Sequence, residues 1–449
     1  MIRFLVFSLL FAALAVNLFF GTRLFFSSAS LAEENNPREN LSVFVDVLET
    51  VADEHVGSDD FTYQQLVRSA IDGMLDSLDP YSEFMAPSRY EYLQSDAEGK
   101  FGGVGIVITI RDGQLTVVEP MDETPAIKVG VIPGDKIIEI DGESTVGFQL
   151  EDSVRLLRGK PGTDVRLTLE RQQSTDPVTV TIKRAEIKVH KVKDLNGRRA
   201  FPLLAGGVGY VRLQQFDERA SGELEQALEM LEDKGMSSLI LDLRSNPGGL
   251  LDQAIKVTEK FIPKGELIVS TEGPGKREIK RYTSSGGTKY LDLPLVVLVN
   301  RDSASASEIV AGCLKDLGRA VIVGEKTFGK GLVQKIIPLR DGSAFRLTTS
   351  EYYTPSHTVI NGQGIEPDIT ILLSDQEKQA LFLRRIPGGE DRIEEYLSRI
   401  PEISREEVRR LVKVADDRQL NRAADLLRNL GRHEERMRDR FDNVEESGD

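Results

Sequence analysis

The sequence predicts a multidomain α/β protein with helical segments at both ends. Near both termini, apolar residues recur at helical spacing. A β-rich stretch with many turn glycines follows the first helical segment, and the central part alternates unbroken apolar strands with helices. The chain has 449 residues, of which 29% are charged, and this length is enough for two or three domains with their own cores.

Composition excludes several classes of function. The formal net charge of −15 disfavours nucleic acid as a partner, because phosphate binding needs a basic surface. Cys313 is the single cysteine, so an intrachain disulfide is excluded. It lies in an apolar helical stretch, which favours a buried, inert thiol. No histidine, cysteine or acidic residues show metal-ligand spacing, so we expect neither a metal nor a cofactor.

Residues 1–32 predict a signal peptide or membrane anchor. Arg3 precedes an apolar run from Phe4 to Phe20, and small residues follow up to Ala32. This order is typical of an export signal, although about 17 apolar residues could also remain uncleaved as a short anchor. We therefore expect the rest of the chain in the periplasm or another extracytoplasmic space. Membrane contact is expected only through residues 4–20, if they are retained.

Residues 37–96 predict a helical N-terminal domain. Leu66, Ile71, Met74 and Leu75 recur at helical spacing, and Asp79-Pro80 ends that segment. No catalytic group stands out here, so we expect a role in packing or dimerisation.

Residues 97–186 predict a β-rich domain. Its strands are expected at Gly105–Ile110, Leu115–Val118, Lys136–Ile140, Val165–Leu169 and Val178–Ile182.

Two segments of this stretch resemble the signatures of a PDZ domain. Residues 101–106, Phe-Gly-Gly-Val-Gly-Ile, resemble its carboxylate-binding loop, and residues 130–142 resemble its second signature. Glycines let consecutive backbone N–H groups converge on an anion, and a peptide with a free C-terminal carboxylate can add there as a strand. The resemblance assigns carboxylate binding to Gly103, Val104, Gly105 and Ile106. The alternative is a glycine-rich hairpin that binds nothing.

Residues 187–372 predict an α/β core. Its elements are expected as strands at Ser238–Leu243, Leu293–Asn300 and Ala320–Gly324, helices at Leu250–Phe261 and Ala304–Leu317, and a hairpin of Leu332–Leu339 with Ala344–Tyr353. Unbroken apolar strands separated by helices indicate parallel strands buried on both faces.

Residues 373–449 predict a helical C-terminal extension. A capping box that begins at Ser404 precedes an apolar stripe, and the last residues, 443–449, are expected to be disordered. The high charge favours a solvated helical appendage or an oligomer contact over a catalytic part.

Ser305 is a candidate nucleophile. It follows a predicted buried strand and lies near a helix start, where N–H groups and the helix dipole would stabilise an oxyanion. Ser303 and Ser307 compete with it, because any of the three could be a helix cap.

A serine nucleophile needs a base. None of the four histidines lies in a catalytic signature, and only His357, beside a turn, remains open. A lysine can serve if burial away from carboxylates lowers its pKa by roughly 3, at a cost of about 4 kcal/mol. Lys330 stands between two glycines, and Gln334 shares its strand face if the strand begins that early. Lys326 is the rival base, but it is expected to be solvated.

The chain resembles the carboxy-terminal processing, or tail-specific, proteases over roughly residues 40–372. The resemblance rests on the PDZ signatures and on three motifs around the candidate residues: Leu-Asp-Leu-Arg-x-Asn-Pro-Gly-Gly at 241–249, Ser-Ala-Ser-Ala-Ser-Glu at 303–308 and Gly-Lys-Gly-x-x-Gln at 329–334. It implies a serine–lysine endopeptidase with a crotonase-like core, which cleaves exported proteins near a free, usually apolar C-terminus.

The resemblance also assigns roles to residues. It assigns the nucleophile to Ser305, the base to Lys330 and the orientation of the base to Gln334. The oxyanion donors fall on the amide of Ala306 and on one amide of the pair Gly248 and Gly249.

Regulation and partners follow from the same resemblance. Substrate docking at the PDZ domain is expected to realign the catalytic residues, and Arg158 is the candidate for this gating role. Homo-oligomers through the terminal helices and an activating adaptor protein are further expected partners. One alternative is a catalytically idle PDZ scaffold that binds protein C-termini. Another is a histidine-dependent PDZ protease with a trypsin-like barrel, which would need a catalytic histidine and a Gly-x-Ser-Gly-Gly motif that the chain lacks.

Overall fold

The computed structural model describes residues 37–385 with short gaps at 112, 122–123, 172–175 and 287–288, and also residues 406, 410 and 417–431. The predicted export segment, the start of the capping box at Ser404 and residues 443–449 lie outside these ranges. Within them, no helix is both long and apolar enough to cross a membrane. The chain forms two compact units, one up to Phe84 and one from Met85 onward.

The first unit is helical, as predicted. Its elements are α1 (Pro37–Glu54), a 3-10 turn (Ser58–Asp60), α2 (Tyr63–Asp76) and the start of strand β1 (Glu83–Met85). Helix α2 begins with a capping box: the Thr62 hydroxyl accepts from the amide of Gln65, and the Gln65 side chain accepts from the amide of Thr62. Reciprocal capping satisfies two amides that a helix start otherwise leaves without partners.

The second unit begins with the β-rich domain. Its elements are α3 (Pro87–Glu98), β2 (Lys100–Gly103), β3 (Ile106–Arg111), β4 (Gln114–Pro120), α4 (Pro125–Lys128), β5 (Lys136–Ile140), β6 (Glu143–Ser144), α5 (Leu150–Leu157), β7 (Asp164–Glu170), β8 (Val178–Lys183) and β9 (Ala185–Lys188). The antiparallel sheet has the order β3-β4-β5-β7-β8, and β2 pairs with β9 in a separate ribbon. In β7, Val165, Leu167 and Leu169 are buried and alternate with more exposed residues, so the period of two defines the core face. All five predicted strands are confirmed, with no bound shifted by more than two residues.

The α/β core follows. Its elements are β10 (Val192–Lys193), β11 (Val208–Leu213), α6 (Ala220–Glu232), β12 (Ser238–Asp242), α7 (Leu251–Glu259), β13 (Leu267–Glu272), β14 (Glu278–Thr283), β15 (Leu295–Val299), α8 (Ala306–Asp316), β16 (Val321–Gly324), β17 (Leu332–Pro338), β18 (Ala344–Tyr353) and β19 (Ile369–Thr370). One sheet has the order β10-β11-β12-β15-β16-β19, with every pair parallel except β10 with β11. The predicted parallel strands are therefore confirmed.

Both faces of this parallel sheet are buried. In β15, Leu295, Val297 and Val299 face the core cluster that contains α6, α7 and α8, whereas Val296 and Leu298 face a second cluster. Cys313 of α8 is fully buried in the first cluster, and burial raises the pKa of its thiol to about 12, so the prediction of a buried, inert cysteine is confirmed.

A second, antiparallel sheet lies beside the lysine motif. Strands β14, β13, β18 and β17 follow one another in it, and β17 and β18 form the predicted hairpin. The pair β13 and β14 was not predicted, because β14 (Glu-Ile-Lys-Arg-Tyr-Thr) is mostly exposed and its charged residues conceal the strand pattern.

The C-terminal extension contains α9 (Asp375–Arg385) and α10 (residues 418–431). The expectation of a solvated appendage is wrong for α10. Its apolar stripe packs on the second face of the parallel sheet through Leu420, Ala423, Ala424 and Leu427. Burying each leucine stabilises the docked helix by about 1.5–3 kcal/mol. Its charged residues Arg418, Arg422 and Asp425 remain exposed on the opposite side.

An ion pair at the edge of this contact makes the docking pH-sensitive. Arg418 donates to both carboxylate oxygens of Glu377, at 2.6 and 2.9 Å, and these hydrogen bonds lower the pKa of Glu377 from 4.5 to about 2. A lowered carboxyl pKa stabilises the folded state fully above 4.5, and the contribution is lost as the pH falls from 4.5 toward 2.

We expect Glu377→Gln to remove this pH-dependent contribution. At neutral pH the variant should be less stable by about 0.2–1 kcal/mol, the size of an exposed ion pair. The difference from the parent should shrink as the pH falls below about 4.5. Urea unfolding of both proteins between about pH 6 and pH 3 measures this, and a constant difference across that range would contradict the linkage.

Candidate active site

The structure distinguishes the three candidate serines. Ser303 and Ser307 are fully buried, and their hydroxyls donate to the carbonyls of Leu243 and Asn246 at 2.8 and 2.9 Å. Ser305 is partly exposed, and its hydroxyl donates no hydrogen bond to the described residues. Two serines therefore hold the backbone, and Ser305 presents an available hydroxyl.

The backbone of Ser305 is strained. With φ 54° and ψ −113° it lies at positive φ, immediately before the first residue of α8. Such conformations cost about 1–3 kcal/mol in a residue with a side chain and persist where surrounding contacts impose them. The turn leaves Ala306 at the first helical position, where no helix carbonyl is available to its amide.

One contact that imposes this geometry is the buried carboxylate of Glu308. Its Oε2 accepts from the amides of Ser305 and Lys330, both at 2.9 Å. Its Oε1 accepts from the Thr327 hydroxyl at 2.6 Å and the Gly329 amide at 2.7 Å. The backbone nitrogens of Ser305 and Lys330 are therefore no farther apart than twice 2.9 Å. The structure brings the candidate nucleophile and the candidate base together at one anchor.

Burial raises the pKa of the Glu308 carboxyl, and hydrogen bonds from Thr327 and the three amides oppose the rise. Sequence reasoning assigned no role to Glu308 or Thr327. The available signal was the position of Glu308, three residues after a helix cap, where a carboxylate commonly returns to the cap amide.

The two glycines around Lys330 allow the backbone of residues 360–364 to pack closely against this loop. A side chain at Gly331 would collide with the backbone of Asn361, and Gly329 has φ 88° with the amide of Gly364 close by. The condition for Lys330 and Gln334 to share a strand face is not met, because β17 begins at Leu332 and its register shifts between Val333 and Gln334. The backbone amide of Lys330 donates to the Glu308 carboxylate.

The glycine loop after β12 packs directly against Ser305. A Cβ atom at Gly248 would lie 2.8 Å from the Cβ of Ser305 and 3.0 Å from the amide nitrogen of Ala306. The amide of Gly248 donates to the side chain of Asn246 at 2.9 Å. The amide of Gly249 makes no hydrogen bond with the described residues. Of the two glycines, Gly249 therefore has the available donor.

Asn246 shapes this loop from within. Its side chain also donates to the carbonyl of Leu213 at 2.9 Å, and its own carbonyl accepts from the amide of Ala304 at 3.0 Å. Sequence reasoning did not assign it a role.

A pocket lies in the β-rich domain between β3 and α5. Its volume is about 120 Å³, and its lining includes Val104, Gly105, Ile106 and Arg158. Gly103 instead pairs with Ala185 in the β2–β9 ribbon. The structure thus gathers three of the four predicted carboxylate-binding residues with a cationic group. The guanidinium of Arg158 stacks on Tyr92 and Phe101, 4.6 and 4.3 Å from the ring centres.

His357 has other contacts. Its ring stacks on Tyr353 with centres 4.7 Å apart, and its Nε2 lies 3.4 Å from Glu272. Within the described residues, no contact joins it to Ser305. The rival base Lys326 pairs with Glu366 at 2.6 Å and is half-exposed, in agreement with its expected solvation.

Comparisons with known proteins agree with the order of the β-rich domain and the α/β core along the chain. The model of peptidase family S41 matches residues 207–371, and a PDZ domain model matches residues 116–171. A carboxy-terminal-processing protease of Bartonella bacilliformis is 43% identical over 348 residues, which cover 77% of this chain and 78% of that protein.

Two further proteins are similar to this chain. A "Probable CtpA-like serine protease" of Staphylococcus saprophyticus is 36% identical and is matched over 74% of this chain and 66% of its own length. Among solved structures, the photosystem II D1 C-terminal processing protease is 31% identical, with a TM-score of 0.42, over 73% of this chain and 92% of that chain.

We expect Glu308→Gln to destabilise the protein. An amide has one acceptor oxygen, so its NH₂ group would face two N–H or O–H donors that now bind a carboxylate. At about 1–3 kcal/mol for each unsatisfied donor, the free energy of unfolding should fall by roughly 2–6 kcal/mol. Denaturant unfolding measures this.

Asp302→Asn is the matched control, because this exposed carboxylate lies three residues before Ser305 and, among the described residues, hydrogen-bonds only within its own loop. Its unfolding free energy should stay within about 0.5 kcal/mol of the parent. Equal effects of the two substitutions would contradict the anchoring role of Glu308.

Proposed function

The chain belongs to the carboxy-terminal-processing proteases of peptidase family S41, and from this premise we propose that it is an endopeptidase in which Ser305 is the nucleophile and Lys330 the base. Its substrates are proteins with free, apolar C-termini. The observation that carries the proposal is the shared anchor: the amides of Ser305 and Lys330 donate to the same oxygen of Glu308. Two loops held this closely supply the fixed geometry that nucleophile and base require.

The proposed reaction has two stages. Ser305 Oγ attacks the scissile carbonyl carbon while its proton passes to the neutral amine of Lys330. The resulting ammonium protonates the leaving amine, and the acyl group remains as an ester on Ser305. Water then attacks the ester, its proton passes to Lys330, and Lys330 returns a proton to Ser305 as the acid product leaves. Gln334 is assigned to orienting the amine on the resemblance alone.

We assign the oxyanion to the amides of Ala306 and Gly249. Ala306 is the first residue of α8, so the helix dipole adds to its donor. The Gly248 amide already donates to Asn246, which favours Gly249 as the second donor. One such donor contributes about 100- to 1,000-fold to kcat in serine proteases.

The PDZ pocket would bind the substrate's C-terminus. The amides after Val104 and the guanidinium of Arg158 would meet its carboxylate, and the apolar lining would take its last side chain. Arg158 also stacks on Tyr92 of α3, so a carboxylate that draws it away would alter a contact outside the pocket. We therefore place the gating role at Arg158.

Location and assembly are parts of the same proposal. The basic and apolar pattern of residues 1–32 supports export and leaves cleavage or retention of that segment open. Homo-oligomers through the terminal helices and an activating adaptor are proposed partners.

Incubation with an unfolded protein that ends in apolar residues tests the chemistry. We expect the parent to cleave it, Ser305→Ala and Lys330→Ala to be inactive, and Lys330→Arg also to be inactive because a guanidinium does not deprotonate in proteins. All variants should retain the parent's circular dichroism. Turnover by Lys330→Ala at the parent's rate would contradict the assignment of Lys330 as the base. Absence of cleavage by the parent, with peptide binding intact, would favour the PDZ scaffold.

Peptide binding tests the carboxylate contact at Arg158. Arg158→Gln should weaken binding of a free-acid peptide by roughly 10-fold, an effect of about 1.4 kcal/mol that one charge-assisted hydrogen bond would supply. It should leave binding of the C-terminally amidated peptide unchanged. Arg155→Gln is the matched control, because Arg155 lies in the helix that ends immediately before Arg158, is 76% exposed and pairs with Asp152. Equal losses for the acid and amide peptides would refute the contact.

A further inference from the structure

The guanidinium of Arg244 is fully enclosed at the end of β12. Its side chain is 3% exposed, and all five of its N–H donors are used. Asp242 accepts two of them, at 2.9 and 2.6 Å. The other three go to α10 and the residue before it: Asp417 accepts two, at 2.9 and 2.8 Å, and Gln419 accepts one, at 2.9 Å.

The carboxylates around this guanidinium are equally buried. Asp242 also accepts from the Tyr210 hydroxyl at 2.6 Å, and Asp417 accepts from the amide of Leu420 at 3.1 Å in the first turn of α10. Breaking a buried pair is costly because it leaves a charge without compensation. Three of the five hydrogen bonds that hold Arg244 therefore depend on residues more than 170 positions away in the sequence.

Arg244 stands at the base of the oxyanion loop. Its own amide donates to Asp242, and Asn246, Gly248 and Gly249 follow directly in the chain. Two residues beyond Arg244, Asn246 contacts both the Ser305 loop and the Gly248 amide. A shift of the arginine would therefore displace the glycines relative to Ser305.

We propose that Asp417 and Gln419 are positioning residues for catalysis. They hold Arg244, and Arg244 holds the loop that carries the oxyanion donor. These two residues then act on catalysis although they lie beyond the residues that match the peptidase family model. This inference rests on the proposed protease function.

The test is Asp417→Asn in the full-length protein, assayed well below its thermal midpoint with the same unfolded substrate. The side chain keeps its shape, but an NH₂ group would face Arg244. We expect kcat to fall about 10- to 100-fold, somewhat less than loss of an oxyanion donor. KM should stay within about two-fold, because the docking pocket lies in another domain. If Asp417→Asn does not fold, Gln419→Met replaces it, since it removes one neutral acceptor from Arg244.

Arg418→Ala is the matched control. Arg418 lies between the two test residues and anchors the same helix to Glu377 and the Leu372 carbonyl. Its kcat should equal the parent's. An unchanged kcat in the test variant, or an equal fall in Arg418→Ala, would overturn the inference while leaving the protease function intact. A parent with no more turnover than Ser305→Ala would overturn the function and this inference with it.

Discussion

Two loops from different parts of the chain meet at one buried carboxylate, that of Glu308. A carboxylate in an apolar interior needs several hydrogen bonds, and here the loops of Ser305 and Lys330 supply all four described donors. Neither loop can move without leaving this charge under-compensated. The strained backbone of Ser305 is thus maintained by the hydrogen bond between its amide and the buried Glu308 carboxylate.

The sheet makes this meeting possible. The strands β12, β15 and β16 are neighbours and parallel, so the loops that follow them emerge at the same edge. Those loops carry the glycine pair, the serine and the lysine motif. The carboxyl edge of a parallel sheet is where ligand sites usually form, and the buried cores on both faces hold the three loops in register.

Sequence patterns predicted the strands and turns whose conformation is set by residues close to them in the sequence. Apolar runs predicted β12, β15 and β16, and turn glycines with alternating residues predicted the β-rich domain. The patterns did not reveal Glu308 or Arg244 as anchors, because a charged residue in a sequence is usually solvated and only the fold shows that it is enclosed. The docking of α10 was missed for a related reason: its charged residues are conspicuous in the sequence, whereas the sheet face that receives its apolar stripe is assembled from distant strands.

The β2–β9 ribbon has a consequence for the modularity of the chain. The β-rich domain leaves and rejoins the rest through two hydrogen-bonded strands, with Lys100 opposite Lys188 and Gly103 opposite Ala185, and the amide of Val189 donates to the carbonyl of Gly99. The domain is therefore an insertion whose ends already touch. A short splice at these ends would excise it without stretching the remaining chain, and another domain with adjacent termini could be grafted in its place. The β-rich domain and the α/β core are thus joined at a single junction, where the two connecting strands pair with each other.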